Sequence, residues 1–558
     1  MRKLRYRSFF PYGIAIALTA LLALTFTPRL GTAETPVKGG KLVYIVPASW
    51  YPSLDAHQET TFATIHPSAP FYSLLIKVNP ENPGDPTDFV GDVAQSWSTS
   101  KDSLTYTFKI RKGIKFHDGS LLTSRDVKAT YDKIVWPPKG VRSSRDFMYS
   151  EIVKSIEATD DYTIVFRLNF PSAAFLPSMA APYNYIYRAD ILKKDPNWYK
   201  THVNGTGPFM PASGTPEKGF ADGKWSVKGS HVEGVRNPNY FIKDRPYLDG
   251  YRAIFIKKQA PQVAAIRGER AMINFRALPP KTISEMKRAM GDKLRVQEST
   301  WNCVLFVAPN HKVKPFDDVR VRRALSLALD RNEASKYLST FAIIKTVGGI
   351  VYPGHPLAIT KEELQKIAGY WPDIKKSRKE ARRLLREAGV SEGFKFKFHN
   401  RGVEQPYKHM GIWLIDQWRK IGLNAEHWVQ PTGPFYKTLR GRKQAFPVSI
   451  DFNCQSVVNP ILDIGKFLSE DKSGSNNAEY IDRNLDKIHS DLLREGDPKK
   501  VRALIRKYEK RVIDEEVHYI VTLWWNRTVP HNARLRGWKV SPSHYLNQDL
   551  TNVWLAPK

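Results

Sequence analysis

Gly389-Val390-Ser391-Glu392-Gly393 has the G-x-S-x-G spacing that, in hydrolases, sets a nucleophilic serine on a sharp turn. That chemistry needs a strand before the serine and a helix after it. Here the order is reversed: Ser377 to Ala388 reads as a helix, Gly389 as its cap, and Phe394 to Phe398 as the strand that follows. Ser391 is therefore expected in a plain turn, and no enzyme is expected. The histidines His57, His66, His117, His409 and His427 are scattered, and no Cys/His spacing of the zinc type occurs. No metal and no cofactor are expected. Cys303 and Cys454 are the two cysteines; in an oxidising compartment they could pair, and two buried thiols fit equally well. What the chain has in quantity is aromatic surface, with 14 Trp and 25 Tyr, suited to packing or to stacking on a ligand.

The elements that must position these side chains alternate between strand and helix. Leu104, Tyr106, Phe108 and Ile110 alternate with Thr105, Thr107, Lys109 and Arg111, which predicts a strand with one buried face. Asp118-Gly119 supplies a turn, and Thr123 with Asp126 three residues on predicts a capped helix start. A second hairpin is expected over Ile152 to Ala158 and Tyr162 to Leu168, turning at Asp160-Asp161. Leu42 to Val46 and Tyr251 to Ile256 read as strands, and Gln262 to Gly268 as a small helix. Past Trp301, Val321, Ala324, Leu325 and Ala328 form one apolar helical stripe, with Asp317 and Asp318 at its positive end. Helices at Ser377 to Ala388 and His409 to Ile421 alternate with strands at Phe394 to Phe398 and Leu423 to Val429. A helix, Pro498 to Glu515, and a strand, Tyr519 to Trp525, close the chain. This is α/β, and 558 residues imply two or three lobes.

The first 33 residues read as an export signal. Arg2, Lys3, Arg5 and Arg7 precede the apolar run Ile14 to Phe26, and Gly31-Thr32-Ala33 supplies small residues for cleavage. Thirteen apolar residues are too few to span a bilayer, and no cysteine follows for a lipid anchor, so a free exported protein is expected. The formal charge is +31, and loss of the five basic residues in that segment leaves +26. The densest basic runs, Lys375 to Arg386 and Lys499 to Arg511, carry Leu384, Leu385, Leu504 and Ile505 at core spacing. Their charges therefore lie on solvated helix faces, and no nucleic-acid partner is expected.

Trp97 to Ile134 (WSTSKDSLTYTFKIRKGIKFHDGSLLTSRDVKATYDKI), Gly205-Thr206-Gly207-Pro208-Phe209, Arg236-Asn237-Pro238-Asn239-Tyr240, Pro315 to Arg331 and Ser377 to Gly389 follow one another in a recognisable order. Together they resemble the family 5 extracellular solute-binding proteins, the oligopeptide, dipeptide and nickel type that feed ABC importers. The resemblance runs from Gly39 to about Trp554. It implies a periplasmic binding protein-like fold (class II, cluster C): two lobes joined by a hinge, plus an extra subdomain. Residues 1–33 would be the signal peptide. Residues 34–77, 204–304 and 525–558 would form one discontinuous lobe, 78–203 the accessory subdomain and 305–524 the other lobe, with crossings near Trp301 to Leu305 and Leu523 to Asn526. A solute would be clamped by lobe closure and delivered to an inner-membrane permease driven by its ATPase, the binding protein acting as a periplasmic monomer.

On that resemblance the ligand contacts would come from Trp301 and Asn302 at one crossing, and from Trp524 and Trp525 at the other. Adjacent residues of a strand face opposite ways, so at most one of that Trp pair can face the ligand. Trp50 and Tyr51, after the first strand, would contribute, as would Asn453, Gln455, Ser456 and Asn459 in the loop Phe452 to Pro460. Peptide-binding relatives often carry aspartates in this loop, one of which pairs with the peptide amino terminus. Ser456-Val457-Val458-Asn459-Pro460 has none. A buried ammonium without a carboxylate is costly, so the expected solute is peptide-like without a free amino terminus, or neutral, anionic or glycan-like. A nickel or metallophore carrier and a secreted hydrolase are the alternatives.

Overall fold

The computed structural model describes residues 34–557, apart from 86, 442–444 and 455–458. The segment read as an export signal therefore lies outside the described residues. A twelve-stranded mixed sheet organises everything from Val37 onward. Its order runs from Asn424–Gln430 through Lys395–Arg401, Val448–Cys454, Leu294–Pro309, Ile520–Asn532, Ile273–Asn274, Lys41–Val46, Gly250–Phe255 and His231–Arg236 to Phe209–Pro211. Ile344–Thr346 joins beside Ile520–Asn532, and Ser226–Val227 beside His231–Arg236. Lys41–Val46 runs parallel to Gly250–Phe255, and Lys395–Arg401 parallel to Asn424–Gln430, as helical crossovers require. A second, four-stranded antiparallel sheet holds Ala94–Thr99, Thr105–Ile110, Thr163–Leu168 and Val153–Asp160.

The two expected hairpin strands and the helix after them lie close to their sequence positions. Helix Ser124–Val135 starts at Thr123, whose backbone N–H donates to the Asp126 carboxylate at 2.8 Å, as the capping box demands. Helix Val319–Leu327 starts at Asp318, which accepts from Arg320 N. Helix Ile374–Glu387 buries Ser377, Ala381, Leu384 and Leu385 and turns its charges to solvent. Gly389 follows with φ +73°, the left-handed geometry that ends a helix, and strand Lys395–Arg401 comes next. Ser391 thus sits between a helix end and a strand start, the reverse of a nucleophile elbow.

Two strands exceed their sequence reading. Tyr519 to Trp525 extends into Ile520–Asn532, 13 residues, and the stretch around Trp301 belongs to Leu294–Pro309, 16 residues. Long partners stabilise each other here: the two run antiparallel, so their backbone groups are satisfied along both lengths. The ladder breaks twice, first between the pairs Thr300–Asn526 and Val304–Trp524, then between Val304–Trp524 and Phe306–Val521. Three residues, Trp301 to Cys303, oppose the single Trp525, a bulge that redirects side chains. Cys303 pairs with Cys454 of the neighbouring strand, and the two form a disulfide. Among the described residues no helix is long and apolar enough to cross a membrane.

Candidate functional site

The bulge on the paired long strands turns Trp301 and Trp525 toward each other, ring edge to face at 4.9 Å. Trp301 is 1 % exposed and donates its indole N–H to His544 Nδ1 at 3.1 Å. Trp525 is buried as well, and its indole N–H meets no acceptor. Trp524, one residue back, points the other way. It donates to the Gly349 carbonyl at 3.0 Å and packs on Tyr352. The period-2 geometry of a strand accounts for that split.

Against the Trp301–Trp525 pair lies Arg276, placed by the short strand Ile273–Asn274, whose Asn274 side chain accepts from Arg276 N. Its guanidinium stands 4.9 Å from the Trp525 ring and 4.2 Å from the Phe62 ring. Phe62 opens helix Phe62–Ser68, whose cap Thr61 accepts from Ala63 N. A second guanidinium, Arg401, stands 5.0 Å from Phe62 and about equally far from the Tyr407 and Tyr436 rings, at 5.2 and 5.1 Å. Arg401 ends strand Lys395–Arg401. Both arginines are 1 % exposed. Burial draws Arg276 down to about 10, which leaves it a cation at neutral pH. Aromatic faces recover part of the desolvation cost of such cations.

Among the described residues neither arginine has an acidic partner. Arg276 donates one hydrogen bond, to the Gln405 carbonyl at 3.1 Å, while its Nε and second Nη have none. Arg401 meets hydroxyls alone: Thr61 at 3.0 Å, then Thr432, Tyr436 and Tyr407 at 3.3 to 3.4 Å. The acids on the adjoining side are committed. Tyr436, Arg440, Asp451, Asn453, Asp463 and Lys466 help to line a polar cavity of about 40 Å³. There Asp451 binds Lys466 at 2.7 Å, and Glu59 next to it binds Arg440 at 2.7 Å. Burial pushes Asp463 upward, with Arg145 opposing the shift, and its Oδ2 has no hydrogen-bond partner among the described residues. A cavity of that size has room for a few waters.

The other predicted residues fall into three groups. Asn302 is wholly buried, and neither end of its side-chain amide has a partner, directly behind Trp301. Asn453 lines the small cavity and donates to the Asp463 carbonyl. Asn459 caps helix Pro460–Ile464 through Ile461 N and Leu462 N, a local duty that occupies its side chain. Trp50 and Tyr51 stack on each other at 4.5 Å and on Phe255, with the Tyr51 hydroxyl on Ser226, so they group with that strand and not with Trp301. Gln455 and Ser456 lie outside the described residues. Of the histidines, His57, His66 and His117 are buried apart from one another and held at about 3 by desolvation. The cluster Cys303, Cys454 and His544 has its sulfurs joined to each other, so it offers no thiolates to a metal.

Sequence reasoning did not pick out Arg276, Arg401, Phe62, Tyr407 and Tyr436. A faint signal existed: Arg276 interrupts the apolar run around Ile273 and Phe275, while Arg401 ends a strand whose last four residues are all buried, a pattern that alternation does not reveal.

A mixed sheet with two long shared strands and a buried aromatic strip between distant segments matches a solute-binding fold. The model of the bacterial extracellular solute-binding proteins, family 5 Middle, matches residues 88–471, and the chain belongs to that family. It is a binding protein of an ABC importer, not an enzyme. The chain is 26% identical over 487 residues to the di/tripeptide-binding protein 1 of Pseudomonas aeruginosa, covering 82% of this chain and 84% of that one. It is 26% identical over 500 residues to the heme-binding protein A of Haemophilus influenzae, covering 82% and 83%. In structure it resembles the ABC transporter-associated periplasmic binding protein DppA of Helicobacter pylori in complex with the peptide STSA. There the TM-score is 0.77 and the identity 22%, covering 93% of this chain and 99% of that one.

Proposed function

We propose that this chain, exported to the periplasm by a cleaved signal, captures a small peptide-like solute between two lobes and hands it to an inner-membrane permease. One lobe comprises residues 34–77, 204–304 and 525–558, the other 305–524, with 78–203 as an accessory subdomain. The hinge is the bulged pair of long strands at Trp301 and Trp525. The observation that carries the reading is the buried strip to which both proposed lobes contribute: Phe62, Arg276, Trp301 and Trp525 on one side, Arg401, Tyr407 and Tyr436 on the other.

Closure is the work that the solute does. Hydrogen bonds from Arg401 to Thr61, from Gln259 N to Glu404 at 2.6 Å and from Arg440 to Glu59 span the two proposed lobes, which supports reading this arrangement as the shut one. A solute touching both sides stabilises that state by its differential affinity, and moving a 1:99 balance to 99:1 takes about 5.5 kcal/mol. The relatives' peptide and heme ligands show the range this fold admits and leave the solute's size open.

Mass spectrometry of the small molecules released on denaturing freshly purified protein identifies the solute. Adding it back should shrink the radius of gyration measured by small-angle X-ray scattering, and Trp301→Ala should abolish that shrinkage while the fold persists. A scattering curve that the solute leaves unchanged would refute capture by closure.

A further inference from the structure

Resting on the solute-capture reading, we infer that the solute is an oxyanion, its carboxylate or phosphate entering between Arg276 and Arg401 while its body lies on Trp301 and Trp525. The warrant is an imbalance of charge inside the protein. Two guanidiniums flank one phenyl ring, Phe62, each 1 % exposed, and among the described residues no carboxylate meets either of them. Cations buried without a counter-charge cost several kcal/mol each, so a chain seldom keeps them for stability alone. Arg527 nearby shows the alternative. It is equally buried, yet it gives its hydrogens to the carbonyls of Phe275, Arg276 and Ser541 and is fully employed in holding the backbone. Arg276 is not employed in that way, since its Nε and one Nη point at nothing in the chain.

The geometry suits an oxyanion better than a point anion. Free Nε–H and Nη–H groups on one guanidinium form a fork, which matches two oxygens of a carboxylate or phosphate. The hydroxyls of Thr61, Tyr407 and Tyr436 already converge on Arg401 and can donate to the same oxygens. An ammonium is less well served. Asp451 is taken by Lys466 and Glu59 by Arg440, and the unpartnered oxygen of Asp463 in the adjoining cavity belongs to a carboxyl whose burial favours the neutral form.

The test uses simple oxyanions, so it does not wait on the natural solute. Thermal melting of the purified chain is followed in malonate and in phosphate, each against chloride at equal ionic strength, for wild type, Arg276→Met and Arg401→Met. The wild type should show a saturable upward shift in one or both anions at millimolar concentration, absent from both variants. The variants keep only the gradual, non-saturating stabilisation that such salts give any protein. A response to malonate alone assigns a carboxylate, to phosphate alone a phosphate, and to both the shared oxyanion chemistry. Affinity for the responding anion should fall at least about thirtyfold in Arg276→Met. A wild type that melts alike in all three salts, or a saturable shift that survives both variants, would overturn the inference. Wild type alone decides the first point, so a variant that fails to fold does not spoil the test. Saturable anion binding with an unchanging scattering curve would instead count against lobe closure and leave the anion site standing.

Discussion

Lys133 and Arg276 are both cations sealed from water, and the protein treats them in opposite ways. Lys133 holds Asp55 at 2.7 Å, and Asp55 also accepts from Gln58 at 2.8 Å and from His57 N, so every charge is matched inside the chain. The pair ties the start of the chain to helix Ser124–Val135, behind the four-stranded sheet. Arg276 has aromatic rings, one carbonyl and a like-charged neighbour. A structural staple is complete without help, whereas a recognition group keeps part of its bonding capacity unspent. That difference, more than the presence of tryptophans, separates the scaffold from the proposed site.

The comparison predicts a large asymmetry between two truncations. Asp55→Ala strands Lys133 as an unpaired buried charge and should cost about 3 to 5 kcal/mol of folding stability. Arg276→Met removes a charge that was never paired and should leave the stability of the protein unchanged or slightly raised. Denaturant melting of both variants beside wild type measures this. A collapse of Arg276→Met together with an unaffected Asp55→Ala would invert the assignment of the two regions.

Glu509 sharpens the contrast from the acidic side. It lies on the buried face of helix Pro498–Lys510, beside Arg506 at 3.0 Å and under the N–H groups of Ile350 and Val351, with Glu363 the other charge facing it. Burial raises it to about 7, and Arg506 offsets only part of that rise. A carboxyl whose folded value lies above its unfolded one lends stability below the unfolded value and loses it as the pH climbs through the folded one. Its contribution should therefore be whole near pH 4 and fade between about 4.5 and 7, by up to about 1.4 kcal/mol per pH unit. Glu509→Gln should flatten that slope, so its deficit against wild type at pH 5 should narrow or reverse by pH 8. Parallel melting curves across that range would show the raised value to be wrong.

Much of the scaffold was legible because its signals are local. The strand at Thr105–Ile110, the Thr123–Asp126 box and the apolar stripe of Val319–Leu327 each depend on residues within one or two turns. The long strands were cut short because their length is set by each other. Residues such as Arg295, Gln297, Glu298 and Thr528 carry no run of apolar signal, and become strand because a partner 230 or so positions away satisfies their backbone. The split of Trp524 and Trp525 followed from strand period alone, but which of them joins the strip depends on the bulge opposite. Arg276 and Arg401 were invisible for a related reason. Burial of a cation is a tertiary property, and in a chain with 86 basic residues two more arginines attract no notice.

Glu59 and Arg440 form a third type of charge pair, and the smallest effect belongs to them. They meet at 2.7 Å, with side chains 7 % and 15 % exposed, and Arg440 also donates to Thr60 at 3.1 Å. Each partner comes from a different proposed lobe, so the pair exists only when the lobes are shut. In the proposed open state both groups are solvated, so the pair contributes up to about 1 kcal/mol to shutting, with solvent and side-chain entropy offsetting most of the attraction. Glu59→Gln should therefore leave melting almost unchanged, while shifting the shut fraction up to about fivefold toward open, enough to enlarge the radius of gyration. A loss of stability on the scale of Asp55→Ala would place this pair with the staples. With unaltered melting, an unaltered radius of gyration would show that the pair has no part in closure. Only expansion without unfolding makes it a latch, and it would then be the one charge pair of the three whose energy is spent on motion.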